Sequence, residues 1–222
     1  MEQKKKKKKN GDWKAAYDYS LHLVTDRAWM SSDTLSSGVE QAILGGCTIV
    51  QLRETGIRDR DFYQLAMEIK EMTDRYEIPL IINNRIDIAL ASGAAGVHIG
   101  QKDLPLHAVR QSLGRDMCIG VSVTSVEEAL EAENGGADYL GVGAMFPTRS
   151  KKDAALVSFK MLRAIRQTVH IPVVAIGGIN RENAGRFREV GIDGIAAISG
   201  ILAGPDIARA AREMKKAFLT GE

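Results

Sequence analysis

Thr148, Arg149, Ser150, Lys151, Lys152 and Asp153 come two residues after "DYLGVGAM", an apolar stretch that reads as a buried strand. Hydroxyls beside cations suit an anion, although a solvated loop has the same composition. The contrast recurs along the chain. Gln51 and Arg53 follow an earlier apolar run and Asn83 and Asn84 the next; later come Gln101 with Asp103, then Ser122, the Gly177–Gly178 pair and Ser199. Arg53, Lys151 and the hydroxyls of Thr148 and Ser150 could hold a pyrophosphate, with Asp103 and the Asn84 carbonyl as oxygen ligands for a magnesium ion. Such an ion keeps several waters and takes only one or two protein oxygens. Asp103 has a second reading, as N-terminal cap of the helix beginning near Pro105. "AIGGIN" and "AISGI" offer backbone N–H groups beside small residues, as a phosphate cradle does. The paired glycines taken alone could equally serve close helix packing.

What could bring such scattered groups together is the order of the elements. Strand patterns fall at Ser20–Thr25, Thr48–Leu52, Pro79–Ile82, Gly96–Ile99, Cys118–Val121, Tyr139–Val142, Val173–Ile176 and Gly194–Ile198. Amphipathic helical patterns lie between them, among them 61–75, 126–134, 159–168 and 207–218. A weak repeat of two strand–helix units runs through "GGCTIV", "GAAGVHI", "GGADYLGV" and "GIDGIAAI", beginning at Gly45, Gly93, Gly135 and Gly191. Glycine is expected there in the left-handed conformation that ends many helices. Near-continuous apolar strands imply a parallel sheet covered by helices. A doubly wound sheet would satisfy that too, but eight units, four periods and this length favour a single-domain (β/α)8 barrel over residues 19–222. In that fold everything following a strand's C-terminal end shares one rim, where the active site sits, and the loops after strands seven and eight are its usual phosphate cradle.

Composition agrees. With 222 residues, 45% hydrophobic and 26% charged, the chain can bury a sizeable core without staples. Cys47 and Cys118 share no short spacing and read as buried thiols, consistent with a cytoplasmic protein. No apolar run is long enough to span a bilayer, and the lysine-rich start lacks the features of a secretory signal. Lys4–Lys9 supply six of the positive charges behind a net charge of +2, so the body alone is slightly acidic (+2 − 6 = −4). Residues 1–18 are expected to be a disordered arm, and neither nucleic acid nor membrane is expected as a partner. Small-molecule substrates are, and a homo-oligomer stays open.

The motifs "VQLRETG", "IINNRIDIALA", "GVHIGQKDLP", "IGVS", "GADYLGVGAMFPTRSKKDA", "IPVVAIGGI" and "GIAAISGI" together resemble the thiamine-phosphate synthase family, in order and from Ser20 onward. "GQKDLP" with "FPTRSKKDA" is the most specific combination. The resemblance implies a magnesium-dependent transferase that condenses hydroxymethylpyrimidine pyrophosphate with a thiazole phosphate. Its products would be thiamine monophosphate and pyrophosphate, with carbon dioxide when the thiazole is carboxylated. It further implies that Gln51, Arg53, Asn83 and Ser122 meet the pyrimidine pyrophosphate, and that Asn84 and Asp103 bind magnesium. Thr148, Ser150 and Lys151 would form the closing loop, and Gly178, Ile198 and Ser199 the thiazole-phosphate cradle. Lys151, Arg53 and Ser122 are then the residues nearest the chemistry.

Three positions depart from the family pattern: Thr55 where lysine is common, Asn84 where aspartate is, and Thr124 where histidine is. Two other functions fit the same barrel, a thiazole tautomerase and a non-catalytic thiamine-metabolite binder. "GQKD" and "TRSKKD" speak against the tautomerase. His98 and His22, inside apolar strands, read as hydrogen-bonded structural residues.

Overall fold

Eight four- to six-residue strands form a ring in the computed structural model, which describes residues 17–30, 34–150 and 155–222. Lys151, Lys152 and Asp153 lie outside the described residues, as does the arm up to residue 16. Strands β1 (Leu21–Val24), β2 (Ile49–Leu52), β3 (Leu80–Asn83), β4 (Gly96–Ile99), β5 (Cys118–Val123), β6 (Tyr139–Val142), β7 (Val173–Ile176) and β8 (Gly194–Ala197) are all parallel to their neighbours. Strand β8 pairs back onto β1, which closes the barrel. The expected (β/α)8 fold is the one observed.

The helices are α1 (Leu35–Leu44), α2 (Asp59–Arg75), α3 (Ile86–Ser92), α4 (Leu106–Leu113), α5 (Val126–Asn134), α6 (Phe159–Thr168), α7 (Arg181–Ala184), α8 (Ser199–Leu202) and α9 (Ile207–Thr220). Each longer one buries a single stripe. In α2, Phe62, Leu65, Ala66, Ile69, Met72 and Thr73 are buried, a three–four spacing that faces the sheet while charged residues face water. Each large apolar side chain so covered contributes about 1.5–3 kcal/mol. Ser125 and Ser158 cap α5 and α6 by accepting the backbone N–H of Glu128 and Met161.

Two apolar layers result. The larger lies between sheet and helices; the smaller fills the barrel with Tyr19, Val24, Ile49, Ile81, Cys118, Tyr139, Val174 and Ala196. The inner set fixes the phase of every strand, because side chains alternate with period two. Counting from Ile49 puts Gln51 and Arg53 on the inner side; counting from Ile81 puts Asn83 there. The same step carries Cys118 to Ser122 and Ala196 to Ile198, which packs against the inner layer. Five of the expected site residues thus share one phase and climb toward one mouth.

The glycine expectation needs a correction. Gly93 and Gly191 do end a helix in the left-handed region, with φ of 64° and 72°. Gly45 and Gly135 do not: their φ values are −76° and −77°, and the next residues, Gly46 and Gly136, take the positive values of 109° and 88°. Gly45 is needed for a different reason, since a Cβ there would come within 2.3 Å of the Ala208 carbonyl oxygen on α9. In the double glycines one residue permits close packing and the other turns the chain.

Candidate active site

The rim at the strands' C-terminal ends is built from loop pairs that bind each other. After β1, Thr25 accepts the Arg53 N–H at 2.9 Å and donates its hydroxyl to the Arg53 carbonyl at 3.0 Å, pinning the β2 loop to β1. Asp26 Oδ2 then meets Arg53 Nη1 at 3.1 Å, and Arg27 forms a two-pronged pair with Glu54. Arg53 is therefore held in place by a carboxylate that sequence reading passed over. The signal available was "VTDR", polar residues directly after the first strand.

Asn84 follows β3 in the left-handed region, φ 62°, which asparagine tolerates better than most residues. Its backbone N–H bonds the His98 carbonyl at 2.9 Å, and its amide nitrogen lies 3.1 Å from Asp103 Oδ1. Rotating the amide by half a turn would present its oxygen instead, so the pair offers two hard oxygen donors side by side. Among the described residues no three His, Cys, Asp or Glu side chains converge on a point. A magnesium ion held by this pair would complete its octahedron with waters and phosphate oxygens, which is how that ion is commonly bound. The donor set fits, with a neutral amide where the family often has a second carboxylate.

Asp103 does not cap the following helix: α4 begins at Leu106 behind Pro105 with no side-chain cap. Its Oδ2 instead accepts the Gly100 N–H at 2.6 Å, which folds the loop back and fixes the carboxylate at the rim. Gln101 donates to the Ser122 carbonyl at 2.7 Å, tying the β4 loop to β5. Thr124 turns away, its N–H and hydroxyl both directed to Glu128 Oε2.

Inside the mouth, Ser122 Oγ lies 2.9 Å from His98 Nε2, and His98 Nδ1 lies 2.9 Å from the Tyr139 hydroxyl. Gln51 is buried. Burial pushes the Tyr139 phenol well above its ordinary pKa, so it stays protonated. One turn of strand below, burial and the neighbouring His98 lower His22 to about 3 and hold it neutral.

The other half of the rim is a cleft of about 350 Å³ whose lining includes Trp29, Thr148, Arg149, Gly178, Asn180 and Ser199. Trp29 Nε1 donates to Ser150 Oγ at 3.0 Å, joining the β1 loop to the β6 loop across 121 residues of sequence. Thr148 accepts the Ser150 N–H at 3.3 Å, a tight local turn. Gly177 and Gly178 have φ of 100° and 64°, and a Cβ on Gly178 would sit 2.7 Å from the Pro147 carbonyl oxygen, so the β6 and β7 loops touch at a position only glycine can occupy. Ile198 precedes the single turn α8, which Ser199 opens.

The structure therefore assembles the expected residues as one inner group, Gln51, Arg53, Asn83 and Ser122, one oxygen pair, Asn84 and Asp103, and one cleft with Thr148, Ser150, Gly178, Ile198 and Ser199 at or beside it. Lys151 falls outside the described residues. Asp26, Trp29 and Tyr139 are additions that the folded chain supplies.

Known proteins with this sequence pattern point the same way. A family profile described as thiamine monophosphate synthase matches residues 21–201. A thiamine-phosphate synthase of Clostridium beijerinckii is 55% identical over 206 residues, covering 93% of this chain and 99% of its own length. That of Ruminiclostridium cellulolyticum is 54% identical, with 93% and 98% covered. Among solved structures, a thiamine phosphate pyrophosphorylase from Pyrococcus furiosus superposes with a TM-score of 0.86 at 37% identity, covering 93% of this chain and 98% of that one. On the strength of a match that spans nearly the whole barrel, the chain belongs to the thiamine monophosphate synthase family of transferases.

Proposed function

We propose that this enzyme joins 4-amino-2-methyl-5-hydroxymethylpyrimidine pyrophosphate to a thiazole phosphate, giving thiamine monophosphate and pyrophosphate. With the carboxylated thiazole, carbon dioxide leaves as well. The observation that carries the reading is one barrel mouth with two anion-suited regions side by side. One has Arg53, Ser122 and the Asn84–Asp103 oxygen pair; the other has the glycine-lined cleft of Gly178 and Ser199 under the Thr148–Ser150 loop.

In this reading Arg53, held by Asp26, and Ser122, held by His98, bind the pyrophosphate, with Asn83 and Gln51 beside the pyrimidine. Lys151, on the same loop as Thr148 and Ser150, covers the leaving group. Bound magnesium would neutralise charge that develops on the departing pyrophosphate. The carbon–oxygen bond breaks before the thiazole nitrogen attacks, so no side-chain nucleophile or base is required. What the protein supplies is preorganised charge and alignment, and alignment alone can contribute about 7–11 kcal/mol in favourable cases. Among the described residues no helix is long and apolar enough to cross a membrane, and buried Cys47, its thiol pushed up to about 12, suits the reducing cytoplasm we infer.

Purified protein with magnesium and both phosphorylated precursors should form thiamine monophosphate; no product with both at saturation would refute the reading. Tautomerisation of the thiazole precursor alone, without magnesium, should be absent.

A further inference from the structure

Resting on that reading of Ser122, the structure assigns a further role to two residues with no expected contact to substrate. We propose that Tyr139 and His98 are positioning residues that fix the direction in which the Ser122 hydroxyl donates, keeping its proton free for the pyrophosphate.

The chain of contacts runs across three strands: Tyr139 on β6, His98 on β4 and Ser122 on β5. His98 Nδ1 stands 2.9 Å from the Tyr139 hydroxyl and Nε2 stands 2.9 Å from Ser122 Oγ. An imidazole flanked on both sides can carry its proton on either nitrogen, and only the partners decide which. The phenol decides it here. A phenol O–H is a better donor than acceptor, and the bare nitrogen of a neutral imidazole is the stronger acceptor of the two groups. The Tyr139 O–H therefore points to Nδ1, 2.9 Å away. The imidazole proton is then on Nε2, the Ser122 oxygen accepts it, and the Ser122 O–H is left to donate outward.

The barrel makes room for this path. A Cβ on Gly120 would fall 2.1 Å from Tyr139 Cζ and 2.5 Å from His98 Nδ1, and one on Gly141 would fall 2.9 Å from His98 Cε1. Neighbouring strands β5 and β6 thus both lack side chains where the two rings meet. Tyr139 and His98 are 1% and 8% exposed, so water does not compete for these bonds.

Tyr139→Phe keeps the ring and removes the direction. Nδ1 can then hold the proton, Nε2 accepts, and Ser122 is drawn inward. Calorimetric titration with inorganic pyrophosphate and magnesium should show affinity about tenfold weaker, the scale of one hydrogen bond to a charged acceptor. His98→Gln, which can present an amide N–H to Ser122, should stay within about twofold. In a Ser122→Ala background, Tyr139→Phe should change pyrophosphate affinity by less than about twofold, because the two act through one group. Thiazole phosphate affinity should be the same in all variants, which a general loosening of the barrel would not allow. If the unaltered protein binds pyrophosphate and Tyr139→Phe binds it equally, or weakens it as much without Ser122, the inference is overturned alone. If the unaltered protein binds none, the reading of the rim fails and this inference with it.

Discussion

The two mouths of the barrel carry clefts of similar size, about 350 Å³ at the rim and about 310 Å³ at the floor, yet their polar groups are engaged differently. At the floor they hold the barrel shut. Asp18 accepts the Ser20 N–H at 2.8 Å, Thr48 bridges both backbone groups of Leu21, and Asp138 takes the Ile119 N–H at 2.7 Å while paired with Arg110. Asp193 repeats the device on the Val173 N–H, with Arg166 3.9 Å away. At the rim, beside bonds to backbone, side chains also pair with one another across loops: Asp103 with Asn84, Ser150 with Trp29, Ser122 with His98. A ligand can replace those bonds without taking a strand apart. Volume does not separate a site from a seam; what the polar atoms bond to does.

The comparison predicts activity loss without instability at one end and the reverse at the other. Lys151→Ala and Asp103→Asn should each lower kcat/KM by about 10²–10³-fold, the usual effect of removing one preorganised charge-stabilising group, with the melting temperature little changed. Asp138→Ala leaves the Ile119 N–H and Arg110 without their partner and should cost about 3 kcal/mol in urea unfolding. Its kcat/KM, measured well below the transition, should stay within about twofold. A folded but inactive Asp138→Ala would break the contrast.

The barrel interior between the two mouths has its own signature. His22 is held neutral with a pKa of about 3 against an ordinary 6.5, so below pH 6.5 the unfolded chain takes up a proton that the folded one refuses. Stability should therefore fall as pH drops from about 6.5 toward 3, by about 2 kcal/mol between pH 6.5 and 5 from this group. His22→Leu should remove that share of the slope in urea titrations run at several pH values. Smallest of all, Lys215→Met, which breaks a 3.5 Å pair with Asp18 beside the floor cleft, should change stability by less than about 0.5 kcal/mol and leave turnover unaffected.

Much of this was legible from the chain alone. All eight strands lie within a residue or two of the spans the apolar runs predict, and α5 and α6 occupy the predicted residues, because serine caps and strict periodicity mark them locally. The phase of the inner residues was not: all four residues of β2 are buried, and only the closed barrel shows which of them face inward with Gln51. What stayed hidden depends on distant pairing. Nothing near Trp29 announces Ser150, 121 residues away. Nothing near His98 announces that Gly120 and Gly141 clear space for its ring. The left-handed role of Gly46 and Gly136 was assigned one residue early, because "GG" does not say which glycine turns and which packs.

Crystals soaked with magnesium, pyrophosphate and thiazole phosphate give the most direct test of the central claim. The account predicts ordered pyrophosphate beside Arg53 and Ser122, a metal touching Asp103, and a separate phosphate against Gly178 and Ser199. Well-ordered ligands at the floor near Lys215, with the rim bare, would contradict it.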